Sequence, residues 1–220
     1  MEATDNLMRH RDVAMILATG GSAMVRAAYS SGTPAIGVGP GNGPAYLEKT
    51  CDLPKAVKRI LDSKTFDNGT ICASEQSIIC DEDMAPAVQA EMEKQGAYFL
   101  SDDEREKLGK FILRANGTMN PEIVGRSVET IAKLAGLDNV PATARVLVAR
   151  EDGVGRGHPY SNEKLGPILA STPAPTTRTC ATRSAPSSAT RAPATPSPCT
   201  PRTTTWWTTL PSGCPPPGSW

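Results

Sequence analysis

Apolar and polar positions follow two rhythms along this chain. Residues 12–18 (DVAMILA) form a short apolar run that stops at Thr19-Gly20-Gly21, after which Ser22 can cap a helix carrying Met24, Val25, Ala27 and Ala28 towards Gly32. A run of that length ended by glycines predicts a strand, and the spacing after it predicts a helix. Residues 33–38 repeat the apolar run and enter Gly39-Pro40-Gly41-Asn42-Gly43-Pro44, which reads as turn or loop. Asp52 can cap a further helix with Leu53, Val57, Ile60 and Leu61 on one face and Lys55, Lys58 and Arg59 in water.

The alternation continues. Residues 77–80 suit a strand and 86–94 a helix. Ser101-Asp102-Asp103-Glu104 has the form of a capping box, in which serine and glutamate side chains satisfy each other's backbone donors, and Leu108, Phe111 and Ile112 extend the apolar side of that helix. Val128, Ile131, Ala132 and Leu134 form another helical face before Gly136, and residues 145–149 return to strand. Strands alternating with helices predict a parallel sheet and an α/β fold. The pattern contains no internal repeat.

Composition divides the chain. The 220 residues carry no net charge, which gives no basis for binding nucleic acid or an anionic membrane, and no apolar run approaches a membrane span. The first residues, Met1-Glu2-Ala3-Thr4-Asp5, lack the basic and apolar regions of a signal peptide, so a cytoplasmic location is expected. Residues 171–220 are rich in Pro, Thr, Ser, Ala and Arg and contain no Asp, Glu or Lys. Such a composition cannot bury a core, and a disordered tail is expected there.

The cysteines are scattered: Cys51, Cys72 and Cys80 before residue 171, and Cys180, Cys199 and Cys214 after it. None forms a CxxC pair, so neither a zinc site nor a disulfide framework is predicted. Cys72 follows the turn sequence Phe66-Asp67-Asn68-Gly69 and precedes a regular element, a placement that suits a nucleophile, although a free cysteine read alone is ordinarily a small packed hydrophobe. Gly20 and Gly21, between strand and helix, could turn backbone N–H groups towards an anion or simply reverse the chain. Of the two histidines, His10 lies in a polar run, and His158, in a glycine-rich loop, could assist a proton transfer or be an ordinary surface residue.

Three segments carry a resemblance. FDNGTICASEQSI (residues 66–78), ILATGGSAMVRAAYSSGTPAIGVGPGN (16–42) and NEKLGPILA (162–170) resemble the acylating, coenzyme-A-dependent aldehyde dehydrogenases, in the same order and at similar intervals. The resemblance runs from about Glu2 to Ala170. It implies that Cys72 attacks an aldehyde to give a thiohemiacetal, that hydride passes to a nicotinamide cofactor, NAD with NADP left open, and that coenzyme A takes the acyl group from the resulting thioester. It further implies that Gly20 and Gly21 lie beside the nicotinamide, that Glu163 holds the nicotinamide ribose hydroxyls, and that backbone donors lower the thiol's pKa. Hydrolytic aldehyde dehydrogenases carry a water-activating glutamate in the loop matching Gly37-Val38-Gly39-Pro40; glycine at the best-matching position here favours the acylating class.

The same resemblance implies an aldehyde-dehydrogenase-like fold divided into residues 1–40, the end of a nucleotide-binding domain, 41–170, part of a catalytic domain, and 171–220, the tail. On this reading the chain is an internal fragment. A long cofactor-binding region, with an oxyanion-holding asparagine, would precede Met1. The tail would be a frameshifted reading of the same coding sequence, and the isolated chain would be inactive. The intact enzyme would act on a small aldehyde and coenzyme A as a homo-oligomer in the cytoplasm, with a bacterial microcompartment as another setting. The competing reading is a non-catalytic truncated binding protein with a Pro/Thr/Ser tether.

Overall fold

The computed structural model describes residues 2–114, 117–155 and 157–174. After a short helix α1 (Glu2–Met8), strand β1 (Ile16–Thr19), helix α2 (Ser22–Tyr29) and strand β2 (Ala35–Val38) form a βαβ unit whose strands pair in parallel, Ile16 opposite Ala35 and Thr19 opposite Val38. The N-cap of α2 is Gly21 rather than Ser22, and no side chain caps it. Ala18 and Ala28 pack with Met8 on one side of this small sheet, while Leu17, Ile36 and Val38 are exposed.

The second sheet has five parallel strands in the order β3 (Gly43–Leu47), β4 (Glu75–Asp81), β7 (Ile168–Ala174), β6 (Val146–Arg150), β5 (Ala97–Phe99). Helices α3 (Leu53–Thr65), α4 (Ala85–Lys94), α5 (Asp102–Ile112) and α6 (Val128–Ala135) connect them. Strand side chains point alternately to opposite faces. Val146, Val148 and Leu169 accordingly join Val57, Leu61 and Met92 on one face, and Leu147, Ala149, Ile168 and Ala170 join Leu108, Ile112 and Ile131 on the other. Helices on both faces explain why β6 reads as an unbroken apolar run. Among the described residues no helix is long and apolar enough to cross a membrane.

Several expectations are confirmed and, beyond the cap of α2, three need correction. Asp52 caps α3, accepting from the Lys55 N–H at 3.2 Å, the Ser101–Glu104 capping box is complete, and Gly136 ends α6 in the left-handed conformation. Leu134, placed on the buried face of α6, is 48% exposed. The segment from Gly43, expected to be loop, begins β3; it is an edge strand among the described residues, with its register shifted between Gly43 and Pro44, which is where a strand tolerates proline. The tail was expected from residue 171, but β7 runs on through Ala174. Ser171, between β6 and β4, is held by ladders on both sides, and this pairing overrides composition. Pro173 lies past the last β6 partner, where only β4 is paired. The rest of the tail, residues 175–220, with Cys180, Cys199 and Cys214, lies outside the described residues.

Candidate active site

Helix α3 delivers the chain to the turn that presents Cys72. Asp67 (φ 46°), Asn68 (φ 50°) and Gly69 (φ 75°) are successive left-handed residues, a conformation that Asp, Asn and Gly adopt most readily. The Thr70 hydroxyl donates to Asp67 Oδ2 at 2.7 Å, and the Asn68 side-chain amide donates to the Gly125 carbonyl at 3.0 Å. Gly125 in turn donates to the Leu165 carbonyl at 3.0 Å. A side chain on Gly69 would meet the Gly166 carbonyl oxygen at 2.6 Å, so glycine is required by both conformation and contact. The turn is therefore fastened to the Glu163–Pro167 segment. The Ser74 N–H then closes on the Ile71 carbonyl at 3.0 Å, leaving Cys72 exposed at the corner before β4.

The loop between β2 and β3 forms the other wall. Gly41 donates its N–H to Glu163 Oε1 at 3.0 Å, and the Asn42 side chain donates to the Ser161 carbonyl at 2.8 Å. A Cβ on Gly41 would collide with the Cys72 carbonyl. The structure thus brings Cys72 and Glu163 together across Gly41. Gly20 and Gly21 stand apart from that cluster, at the end of β1 in the small sheet, where Gly20 N–H approaches the Val38 carbonyl at 3.4 Å and no atom lies within 4 Å of where a Gly21 side chain would be.

Behind the turn lies a polar interior that periodicity did not reveal. Lys64 and Lys164 are 0% and 1% exposed. Lys64 Nζ donates to Gln76 Oε1 (3.1 Å) and to the Lys164 carbonyl (2.9 Å), while Lys164 Nζ donates to the carbonyls of Tyr160 (2.6 Å) and Asn162 (2.8 Å). Burial lowers the pKa of Lys64 to about 7, against the pull of the Glu163 and Glu75 carboxylates. Burial, and then the charge of Lys64, hold Lys164 well below the usual lysine range. Lysine is rarely buried, so sequence alone assigns both residues to the surface. The one available sign was position, since Lys64 lies at helical spacing from Ile60 and Leu61 and so falls on the apolar face of α3.

His10 is exposed, as expected. His158 is half-buried and lies against Gly153, its Nδ1 2.7 Å from Glu151 Oε1 and 3.6 Å from Asp152. Possible ligand atoms of these three residues lie within 4.8 Å of one another, a grouping of cation-binding chemistry that sequence spacing did not indicate. Glu151 also lines a cleft with Asn42, Ser77, Ser161 and Thr172, next to the Gly41 loop.

Comparison with known proteins places the chain in one family. The profile described as "Aldehyde dehydrogenase family" matches residues 1–134. Aldehyde-alcohol dehydrogenase 2 of Entamoeba histolytica is 45% identical over 186 residues, covering 81% of this chain and 21% of that protein. A crystal structure of a probable aldehyde dehydrogenase from Listeria monocytogenes is 65% identical with a TM-score of 0.80, covering 84% of this chain and 40% of the other. An acetylating aldehyde dehydrogenase from Geobacillus thermoglucosidasius is 47% identical with a TM-score of 0.79 over the same shares. The chain thus spans about a fifth of the length of the curated relative and two fifths of the solved structures. The profile match over residues 1–134, the sequence identity to these relatives and the shared fold agree, and the chain belongs to the aldehyde dehydrogenase family.

Proposed function

We propose that this chain carries the thiol half-site of an acylating aldehyde dehydrogenase, with Cys72 as nucleophile. The observation that carries the reading is the joining of three separate segments, the Cys72 turn, the Gly41 loop and the Glu163 segment, at the backbone of one exposed cysteine. The Cys72 thiolate would add to an aldehyde carbonyl, and the acyl thioester formed after oxidation would pass to the thiol of coenzyme A. The absence of a carboxylate in the Gly37–Pro40 stretch supports transfer to a thiol over hydrolysis.

The residues fit a nicotinamide cofactor. Gly21 opens α2 without a side-chain cap and leaves free space where a Cβ would stand, and Glu163 offers a carboxylate beside the thiol turn. When bound, that cofactor would accept the hydride. Gly20, Gly21 and Glu163 would hold it, Glu163 by the hydroxyls of the nicotinamide ribose, a part common to NAD and NADP. Residues 1–40 would belong to the cofactor domain and residues 41–174 to the catalytic one. The intact enzyme would be a cytoplasmic homo-oligomer acting on a small aldehyde. The small sheet carrying Gly20 and Gly21 leaves Leu17, Ile36 and Val38 open to water. Its cofactor side is thus poorly held, and the isolated chain should not sustain turnover.

Acyl transfer can be tested without a nicotinamide. Incubated with acetyl-CoA, the full chain should release free CoA and gain a hydroxylamine-labile acetyl group on the Cys72 peptide, absent in Cys72→Ser, while aldehyde, NAD and CoA together should yield no sustained NADH. Acetylation spread evenly over the other cysteines, or absent at Cys72, would refute the assignment.

A further inference from the structure

Three segments meet on one buried cation beneath the Cys72 turn. Lys64 lies in the last turn of α3, Gln76 is in β4, and Lys164 adjoins Glu163 in the approach to β7; Gln76 Oε1 accepts both Lys64 Nζ at 3.1 Å and the Lys164 N–H at 2.8 Å. A fully buried ammonium costs free energy unless the surroundings compensate it. Glu75 from β4 and Glu163 from the loop act on its charge, and Glu75 Oε2 has no hydrogen-bond partner among the described residues. Lys164 is the other titratable group facing it, and Glu151, just past β6, and Glu163 both act on Lys164. The remaining charged groups of α3, Lys55, Lys58, Arg59 and Asp62, are exposed.

We propose that Lys64 is a positioning residue: its ammonium, which donates at 2.9 Å to the carbonyl of Lys164, the residue after Glu163, pins the loop that bears Glu163 and draws its carboxylate inward, keeping Glu163 on the N–H of Gly41, the residue that lies against the Cys72 carbonyl. The proposal rests on reading Cys72 and Glu163 as parts of one site. Because burial brings Lys64 to about 7, the cation is present in slightly acid solution and is lost as pH rises through neutrality. The neutral amine still donates to Gln76 and Lys164 but no longer attracts a carboxylate, and half-buried Glu163 can then turn to water. The Gly41 contact should therefore weaken with rising pH. Global stability should move the opposite way, because relieving a buried cation favours the folded state. A residue that only filled space would couple neither to pH.

The test is amide hydrogen exchange at Gly41 in the full chain, corrected for intrinsic rates, between about pH 6 and about pH 8.5, a range spanning the titration of a lysine lowered this far. The wild type, Lys64→Arg, Lys64→Met and Glu163→Gln are compared, with circular dichroism confirming folding. Wild-type protection should fall about fivefold to tenfold across the range, the weight of one net hydrogen bond. Lys64→Arg should keep its protection at both ends; Lys64→Met and Glu163→Gln should be weakly protected throughout. A flat wild-type profile overturns the proposal, as does a wild-type profile in Lys64→Met or a pH-dependent loss in Lys64→Arg. If the Lys64 variants do not fold, the wild-type profile and Glu163→Gln decide. Acyl transfer to Cys72 plays no part in this readout, so failure here leaves the thiol assignment standing.

Discussion

Gly41 donates its amide proton to Glu163 Oε1 at 3.0 Å across 122 positions of sequence, and the same glycine lies against the Cys72 carbonyl. One backbone unit therefore spaces Cys72 from the carboxylate, and the absence of a side chain sets that spacing.

Gly41→Ala should slow acetylation of Cys72 by acetyl-CoA by about tenfold to a hundredfold, the scale of a displacement near 1 Å at a reacting centre. The clash is with main chain, which cannot rotate aside, so the melting temperature should fall as well. Mass spectrometry of the Cys72 peptide and a thermal scan together check this. An unchanged rate would mean that the close approach of Gly41 to Cys72 has no bearing on the thiol.

Gly69→Ala should destabilise the fold, since the residue is held at φ 75° and its Cβ would meet the Gly166 oxygen at 2.6 Å and the Lys64 oxygen at 3.0 Å. Strain of this kind costs about 1–3 kcal/mol. The measurement is urea unfolding followed by circular dichroism. A midpoint equal to that of the wild type would show that the turn can relax around a methyl group.

Stability should rise as pH is raised from about 7 towards 10. Lys64 binds its proton less tightly in the folded chain, at about 7, than in the unfolded one, so over this interval the unfolded state holds more protons and alkali favours folding. Lys164, also lowered by burial, acts in the same direction. Lys64→Met should raise the stability near neutral pH and flatten the profile. Melting temperatures measured across the interval test the sign, and a wild-type profile that falls steadily from pH 7 contradicts it.

Ser101→Ala provides a control remote from the thiol. The Ser101 side chain accepts from the Glu104 N–H at 3.4 Å, while Glu104 Oε2 accepts from the Ser101 N–H at 2.9 Å. Loss of such a cap costs about 1 kcal/mol. The melting temperature should drop while the reactivity of Cys72 towards iodoacetamide stays unchanged. If reactivity falls in parallel, the effects of Gly41→Ala on the thiol lose their specificity.

Periodicity was enough for the elements whose burial is one-sided and long. Val57, Ile60 and Leu61 on α3, Leu108 and Ile112 on α5, and Val128 and Ile131 on α6 repeat at helical spacing because each helix has one face on the sheet. It was not enough for β5, with three residues, or for β3, which begins at glycine and proline. The last residues of β7 read as tail because a seven-residue strand ending Ser-Thr-Pro-Ala owes its form to its neighbours, not to its own propensity.

The sequence by itself determined the family, the Cys72 turn and the Glu163 segment, because a turn needing left-handed residues and a short motif around it are written in consecutive positions. Only the tertiary structure decided what surrounds them. Glu163 meets the Gly41 N–H, and Lys64 and Lys164 are buried back to back, because parallel pairing of β4 with β7 carries residues about a hundred positions apart into contact. Charge and hydropathy assign a lysine to water. A packed sheet with fixed carbonyls and carboxylates can hold one inside, and no local pattern records which carbonyls those will be.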